Sequence, residues 1–136
     1  MKMITGGAFQ GKTSYAVHNF GVLAENIKDG EKCGFDEVFG AKCIVDYHLL
    51  VKRLIDNGVE PMEFTEQLCS ENSDMVVIIN EIGCGIVPIE KSERIWREQV
   101  GRCGCIIAGK SQEVVRVIGG IGVVIKGGDL SGNSIK

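Results

Sequence analysis

Long apolar runs, a positive net charge and paired cysteine motifs are all missing from this 136-residue sequence. The longest apolar stretches, such as MVVII at 75–79, are far shorter than the roughly 20 residues that a membrane-spanning helix needs. No apolar run lies between the N-terminal lysine and the first glycines, so no signal peptide is predicted. The formal net charge of −3 gives no general attraction for nucleic acid or anionic membranes. We therefore predict a cytoplasmic protein with no nucleic-acid or membrane partner.

A disulfide framework is also not predicted, although the sequence has six cysteines. None belongs to a C-x-x-C pair and all lie within apolar segments, which is typical of small buried thiols in a reducing compartment. Cys103 and Cys105 form a C-x-C pair, which is a weak metal motif without a second pair. The other cysteines are Cys33, Cys43, Cys69 and Cys84.

The chain has no internal repeat and no Pro-rich or Ser-rich linker, and its length suits one domain with one core. Apolar runs alternate with helical patterns, which indicates parallel strands joined by crossover helices. The run 1–5 is too short to be a convincing strand by itself, 28–34 is a polar break, and the tail from about 127 has little to bury. Strands are predicted at 42–46, 75–80, 114–118 and 123–126, and helices at 12–25, 47–55, 61–71 and 92–108.

The octapeptide GGAFQGKT, residues 6–13, fits the phosphate-loop (P-loop) pattern. Its glycines let successive backbone N–H groups converge on phosphate oxygens, at the N-terminus of a helix whose dipole favours anions. Lys12 would reach the β- and γ-phosphates, and the Thr13 hydroxyl would bind magnesium. We therefore predict one P-loop nucleotide-binding domain over 1–136. The predicted nucleotide-binding residues are Gly6, Gly7, Ala8, Phe9, Gln10, Gly11, Lys12, Thr13 and Ser14.

A partner carboxylate is expected at the end of a neighbouring strand, where it would hold magnesium directly or through water. Asp46 closes the predicted strand KCIVD, and Glu81 closes MVVIIN. The alternative for each is a solvated cap of the following segment, and for Asp46 the two interpretations are nearly balanced. Glu81 is preferred as the catalytic partner of Lys12, because it lies directly after a buried strand and before a glycine loop.

The glycine loop IGCGIVP follows Glu81 directly. Gly83 and Gly85 would let its backbone turn tightly beside the phosphates, and Pro88 would stiffen its exit.

Four stretches of the sequence resemble the bifunctional adenosylcobinamide kinase/adenosylcobinamide-phosphate guanylyltransferase family of cobalamin biosynthesis. GGAFQGKT is similar to that family's GGARSGKS, and NEIGCGIVP at 80–88 to its NEVGxGIVP. GGIGVVIK at 119–126 resembles its SGIGxxIK. The helix after the loop keeps four residues at matching spacing, namely Arg94, Arg97, Gly101 and Arg102.

The resemblance implies a RecA-like P-loop α/β domain, with a mostly parallel sheet and helices on both faces, that assembles as a small symmetric homo-oligomer. It implies magnesium with ATP or GTP, and adenosylcobinamide or its phosphate as the second substrate. Arg94 and Arg97 become candidate contacts to phosphate or substrate. ATP and GTP are not distinguished, because no base-reading NKxD motif is present.

The sequence departs from the family in its middle. Full-length members are longer between the P-loop helix and the NExGxGIVP strand, where they carry the histidine that takes the covalent guanylyl group. The histidines here, His18 and His48, lack the basic and proline neighbours of that motif, so guanylyl transfer is not predicted. Phe9 and Gln10 replace an Arg-Ser pair, which leaves the acceptor undefined.

Two functions therefore stay open. One is phosphoryl transfer from a nucleoside triphosphate to a corrinoid side-chain hydroxyl, with Lys12 and Glu81 as catalytic residues. The other is a nucleotide-binding or regulatory subunit that has lost transfer chemistry. His48 could face the nucleotide cleft or simply begin a helix.

Overall fold

A computed structural model describes residues 1–82 and 90–127, and within them six strands form one sheet. The strand order across the sheet is β2-β3-β4-β1-β5-β6. The first five strands of this order are parallel, and β6 pairs with β5 in antiparallel orientation. The strands are β1 (Lys2–Gly6), β2 (Ile27–Asp29), β3 (Cys43–Val45), β4 (Val76–Asn80), β5 (Glu113–Ile118) and β6 (Ile121–Lys126).

Helices cover both faces of the sheet. One face packs against α1, whose Ala16 joins Ile4 and Ile78 in a buried cluster. The other face packs against α2, α3 and α4, which contribute Leu50, Leu68 and other residues to a larger core. The predicted α/β class, with a mostly parallel sheet and helices on both faces, is confirmed. The helices are α1 (Lys12–Phe20), α2 (Tyr47–Asp56), α3 (Pro61–Glu71) and α4 (Lys91–Lys110), with short 3-10 turns at Ala24–Asn26 and Asp36–Gly40.

The strand β4 lies in the interior of the sheet, as its unbroken apolar run predicted. Val77 and Ile79 face the core formed with α2–α4, whereas Val76 and Ile78 face the α1 side. Side chains of a strand alternate between its two faces, so a run of apolar residues is stable only where both faces are covered. Because β4 and β1 are parallel neighbours, their carboxyl ends lie side by side at the same edge of the sheet.

The structure differs most from the sequence prediction at three segments. The segment 2–6 is a full strand, because β4 and β5 pair with it on both sides. The first helix ends at Phe20 rather than near 25, because Gly21 adopts a left-handed conformation with φ 68° and ends the helix. The polar segment 28–34 contains part of β2, which pairs with β3 at the sheet edge. The tail beyond 127 lies outside the described residues.

The cysteine prediction holds for four positions: Cys33, Cys43, Cys69 and Cys103 are free and buried. Burial raises the pKa of the Cys43 thiol to about 12, so it stays protonated at physiological pH. Cys105 is exposed, and Cys84 lies outside the described residues. Within residues 1–82 and 90–127, no cluster of three His, Cys, Asp or Glu residues is suited to a metal. Over the same ranges, no helix has the length and apolar character needed to cross a membrane.

Gly30 brings the segment after β2 into close contact with the end of β3. Its N–H donates to the Val45 carbonyl at 2.8 Å, and Arg53 Nη1 donates to the Gly30 carbonyl at 2.8 Å. A Cβ atom at this position would lie 2.5 Å from the Asp46 carbonyl oxygen. Because Gly30 has no side chain, its backbone can approach the backbone of Val45 and Asp46 this closely.

We expect Gly30→Ala to lower the free energy of unfolding by about 1–3 kcal/mol, because the added methyl group overlaps backbone that cannot move freely. Chemical denaturation measures the change. Gly40→Ala is the matched control, since a Cβ at Gly40 meets nothing within 4 Å. Equal stability of the two variants would contradict the close approach at Gly30.

Candidate functional site

The P-loop joins β1 to α1 through several unusual backbone conformations. Gly6 has φ 148° and Gly11 has φ 89°, and Phe9 also lies in the left-handed region at φ 59°. A Cβ on Gly6 would lie 2.5 Å from the Val117 carbonyl oxygen, so only glycine fits there. These conformations form the turn between β1 and α1 that carries the predicted nucleotide-binding residues.

The β5–β6 hairpin holds the P-loop in place. The Gln10 side-chain oxygen accepts a hydrogen bond from the Gly119 N–H at 2.6 Å, and the Gln10 carbonyl accepts one from the Gly120 N–H at 2.8 Å. The Cβ position of Gly11 lies 3.3 Å from Gly120 Cα. Sequence reasoning singled out the loop and the GGIG stretch separately but did not predict this contact.

An open cleft of about 550 Å³ lies over the P-loop and the neighbouring strand ends. Seven consecutive predicted nucleotide-binding residues line it, and residues following β3 and β4 complete it. Gly6 is buried at the end of β1, and Gly7 contributes its carbonyl to a contact with Lys12. The lining residues are Ala8, Phe9, Gln10, Gly11, Lys12, Thr13, Ser14, Asp46, His48, Leu49, Ile78 and Asn80.

Lys12 is a buried cation in this cleft. Only 7% of the residue is exposed, and its Nζ donates to the Gly7 carbonyl at 2.5 Å. Burial lowers the pKa of Lys12 from its ordinary value, while the negative charges of Asp46 and Glu81 act in the opposite direction. A charge held out of water interacts strongly with an opposite charge, so the site is suited to an anion.

Asp46 is one of the residues that line the P-loop cleft. The residue precedes α2 in a left-handed conformation, with φ 57° and ψ 46°, and its side chain makes no capping hydrogen bond. Its backbone carbonyl instead accepts from Leu49 N–H at 2.9 Å. No hydrogen bond of the Asp46 side chain therefore supports the interpretation that this residue caps α2.

Glu81 lies one residue beyond the cleft lining. Its N–H donates to the Gly6 carbonyl at 2.8 Å, which ties β4 to the start of the P-loop. Its carboxylate accepts two hydrogen bonds from Arg116, at 2.8 Å from Nε and 3.0 Å from Nη2. Arg116 lies on β5, two strands away from β4, and sequence reasoning gave it no role. Of the two candidate carboxylates, Asp46 lines the P-loop cleft and Glu81 borders a smaller neighbouring cavity.

The candidate arginines lie on α4. Arg97 Nε donates to Glu93 at 3.0 Å, an ion pair along the helix. Neither Arg94 nor Arg97 is among the described residues that line the P-loop cleft. The three predicted loop positions, Gly83, Gly85 and Pro88, lie outside the described residues.

His48 is buried in the wall of the cleft, with 6% of the residue exposed. Its Nδ1 accepts a hydrogen bond from the Asn80 N–H at 3.3 Å, and its carbonyl accepts one from Trp96 Nε1 at 2.8 Å. Burial lowers the pKa of His48 from its ordinary value. His18 is exposed near the end of α1. The cleft-facing interpretation of His48 fits this arrangement.

Comparison with known protein families identifies one that matches this chain. Residues 46–125 match the sequence model of a family described as cobinamide kinase / cobinamide phosphate guanyltransferase. The chain belongs to this family. The fold is accordingly that of a P-loop NTPase. The match begins at Asp46, so the P-loop itself rests on its own pattern and geometry.

Two curated proteins are similar to parts of this chain. The bifunctional adenosylcobalamin biosynthesis protein CobU of Salmonella typhimurium (strain LT2) is 36% identical over 76 residues, which is 56% of this chain and 41% of that protein. The protein of the same name from Escherichia coli (strain K12) is 42% identical over 52 residues, which is 38% of this chain and 29% of that protein. The chain therefore matches less than half the length of either relative.

We expect Lys12→Met to raise the stability of the ligand-free protein by about 0.5–2 kcal/mol, because it removes a buried charge and keeps the apolar stem. Thermal and chemical denaturation measure the difference. Lys32→Met serves as control, since Lys32 is exposed and such a surface change stays within about 0.5 kcal/mol. A loss of stability in Lys12→Met would show that Lys12 is held for structural reasons.

Proposed function

We propose that the chain binds a nucleoside triphosphate with magnesium in the P-loop cleft and phosphorylates a corrinoid side-chain hydroxyl in cobalamin biosynthesis. The observation that carries the proposal is the buried Lys12, which lines one cleft with the P-loop and Asp46. Family membership and the names of the two relatives support the corrinoid as acceptor.

Binding of the phosphates would use the backbone of the loop together with Lys12. The loop precedes α1, whose first N–H groups have no partner within the helix and carry partial positive charge. Lys12 adds a full charge at the same end. Its Nζ now donates to the Gly7 carbonyl, and a phosphate oxygen would offer it a charged acceptor instead.

The cleft also has the oxygen donors that magnesium prefers. Thr13 and Asp46 both line it, and magnesium would take the hydroxyl and carboxylate oxygens of these residues together with phosphates and water. Asp46 is the better carboxylate for this role, because Glu81 is held by Arg116. When bound, the ion would neutralise charge on the β- and γ-phosphate oxygens.

The transfer step needs a nucleophile and a proton acceptor. The hydroxyl oxygen of the acceptor forms a bond to the γ-phosphorus, and the bond from that phosphorus to the bridging oxygen breaks. The nucleoside diphosphate leaves with that electron pair. We assign the hydroxyl proton to Glu81, which is 31% exposed in its side chain and follows the cleft residue Asn80.

Guanylyl transfer is not part of the proposal. His18 is exposed near the end of α1, away from the cleft-lining residues, and His48 is engaged through Nδ1. Neither carries the basic and proline neighbours of the family's histidine motif.

Nucleotide binding is tested by calorimetry with ATP and GTP, each with magnesium. Loss of the charged contact in Lys12→Met should weaken binding by about tenfold to a hundredfold. Lys32→Met should bind like the wild type. Equal affinities of the wild type and Lys12→Met would overturn the phosphate-loop assignment.

Turnover is tested by following consumption of ATP or GTP with and without adenosylcobinamide. Glu81→Gln should keep nucleotide affinity but lower corrinoid-stimulated consumption by roughly a hundredfold, the usual scale for a lost acid–base group. Arg116→Gln breaks the same ion pair and leaves the carboxylate in place. Because that pair is partly exposed, its loss in Glu81→Gln should lower stability by only about 0.2–1 kcal/mol.

Equal turnover in Glu81→Gln and Arg116→Gln would remove Glu81 as the proton acceptor. Nucleotide binding without any stimulation by adenosylcobinamide would favour the alternative of a nucleotide-binding subunit that has lost transfer chemistry.

A further inference from the structure

The hydrogen bond to the His48 ring determines which ring nitrogen carries the hydrogen of the neutral imidazole. Its Nδ1 accepts a hydrogen bond from the Asn80 N–H at 3.3 Å, so Nδ1 carries no hydrogen. A neutral imidazole has one N–H, which must then lie on Nε2. The ring therefore presents a donor at its other nitrogen.

The Nε2–H donor has no protein partner within residues 1–82 and 90–127. Among the described residues, Gln99 Oε1 is the only fully enclosed side-chain oxygen or nitrogen without a hydrogen bond. Nε2 is therefore not sealed in the core, although 94% of His48 is buried and 6% is exposed. His48 is one of the residues that line the P-loop cleft, and that cleft is where a ligand could meet this donor.

His48 lies in the same part of the cleft as Lys12. The charges of both Asp46 and Lys12 act on the ring, and all three residues line the same cavity. Lys12 is the group that a P-loop directs to the β- and γ-phosphates. A donor beside it meets the terminal part of a bound nucleotide rather than its base.

His48 is held at two points, one on its ring and one on its backbone. The Asn80 N–H fixes one nitrogen from the end of β4, and Trp96 on α4 binds the His48 carbonyl at 2.8 Å. Groups fixed in this way lose little freedom when a ligand binds, so a single hydrogen bond can contribute to selectivity.

We propose that His48 is a ligand-contacting residue whose Nε2–H donates a hydrogen bond to the terminal phosphoryl group of a bound nucleoside triphosphate. It thereby makes the site prefer a triphosphate over the corresponding diphosphate. This inference rests on the proposed nucleotide site and adds a residue that neither the P-loop pattern nor the family motifs contain.

Two substitutions separate the donor from the structural contact. Asn at 48 offers an oxygen close to the Nδ1 position and can still accept from the Asn80 N–H, but it has no group at the Nε2 position. Gln offers an N–H close to the Nε2 position but loses the Nδ1 acceptor. A merely structural histidine would therefore be replaced better by Asn, and a ligand-contacting one better by Gln.

The experiment is calorimetry with ATP, ADP, GTP and GDP, each with magnesium, on the wild type, His48→Asn and His48→Gln. We expect His48→Asn to weaken triphosphate binding by about tenfold, as for a lost hydrogen bond to a charged group, with diphosphate binding nearly unchanged. His48→Gln should retain most of the preference. His18→Asn is the matched control at an exposed histidine. Melting curves establish that each variant is folded.

A second readout does not depend on any variant. Long-range ¹H–¹⁵N spectra of the wild-type protein should show His48 protonated at Nε2, with the Nε2 resonance shifting on addition of ATP but not of ADP. An Nδ1-protonated ring, or identical shifts with both nucleotides, would overturn the inference.

The remaining outcomes are also decisive. An equal loss of triphosphate and diphosphate affinity in His48→Asn, or no loss, overturns the role of His48 while the nucleotide site stands through Lys12→Met. A wild-type protein that binds none of the four nucleotides overturns the proposed function and this inference together.

Discussion

The parallel pairing of β1 between β4 and β5 is the constraint on which the candidate site depends. Parallel strands end at the same edge of a sheet, so the segments that follow β1, β3 and β4 all emerge together. That edge receives the P-loop, Asp46, Asn80 and Glu81. No single segment could form the cleft, because each supplies one wall of it.

The buried charge of Lys12 gives this edge its chemical character. A cation with 7% exposure is costly for a folded chain unless a ligand or a carboxylate compensates for it. The negative charges of Asp46 and Glu81 act on it, but among the described residues its Nζ donates to the neutral Gly7 carbonyl. The arrangement is typical of a site whose electrostatics are completed by an anionic ligand.

The β5–β6 hairpin adds a second level of support. Its glycine turn donates two N–H groups to Gln10, one to the side chain and one to the carbonyl. These bonds brace a loop that contains a left-handed Phe9, a conformation that non-glycine residues seldom adopt. The turn therefore stabilises a strained loop that lies ahead of it in the sequence by more than a hundred residues.

Local patterns in the sequence determined the P-loop, the buried strand β4 and the amphipathic helix α4, because each is encoded by neighbours along the chain. Spacing alone predicted Lys12 and Thr13 as nucleotide-site residues, and motifs alone predicted the family that the comparison confirmed. The choice between Asp46 and Glu81, the bond from Arg116 to Glu81 and the contact of Gln10 with the hairpin depend on strand order. Strand order arises from long-range packing and leaves no periodic signal in any one segment. For His48 likewise, the sequence indicated a histidine at the start of a helix, and only the tertiary structure brought its ring to the Asn80 N–H and the residue into the cleft wall.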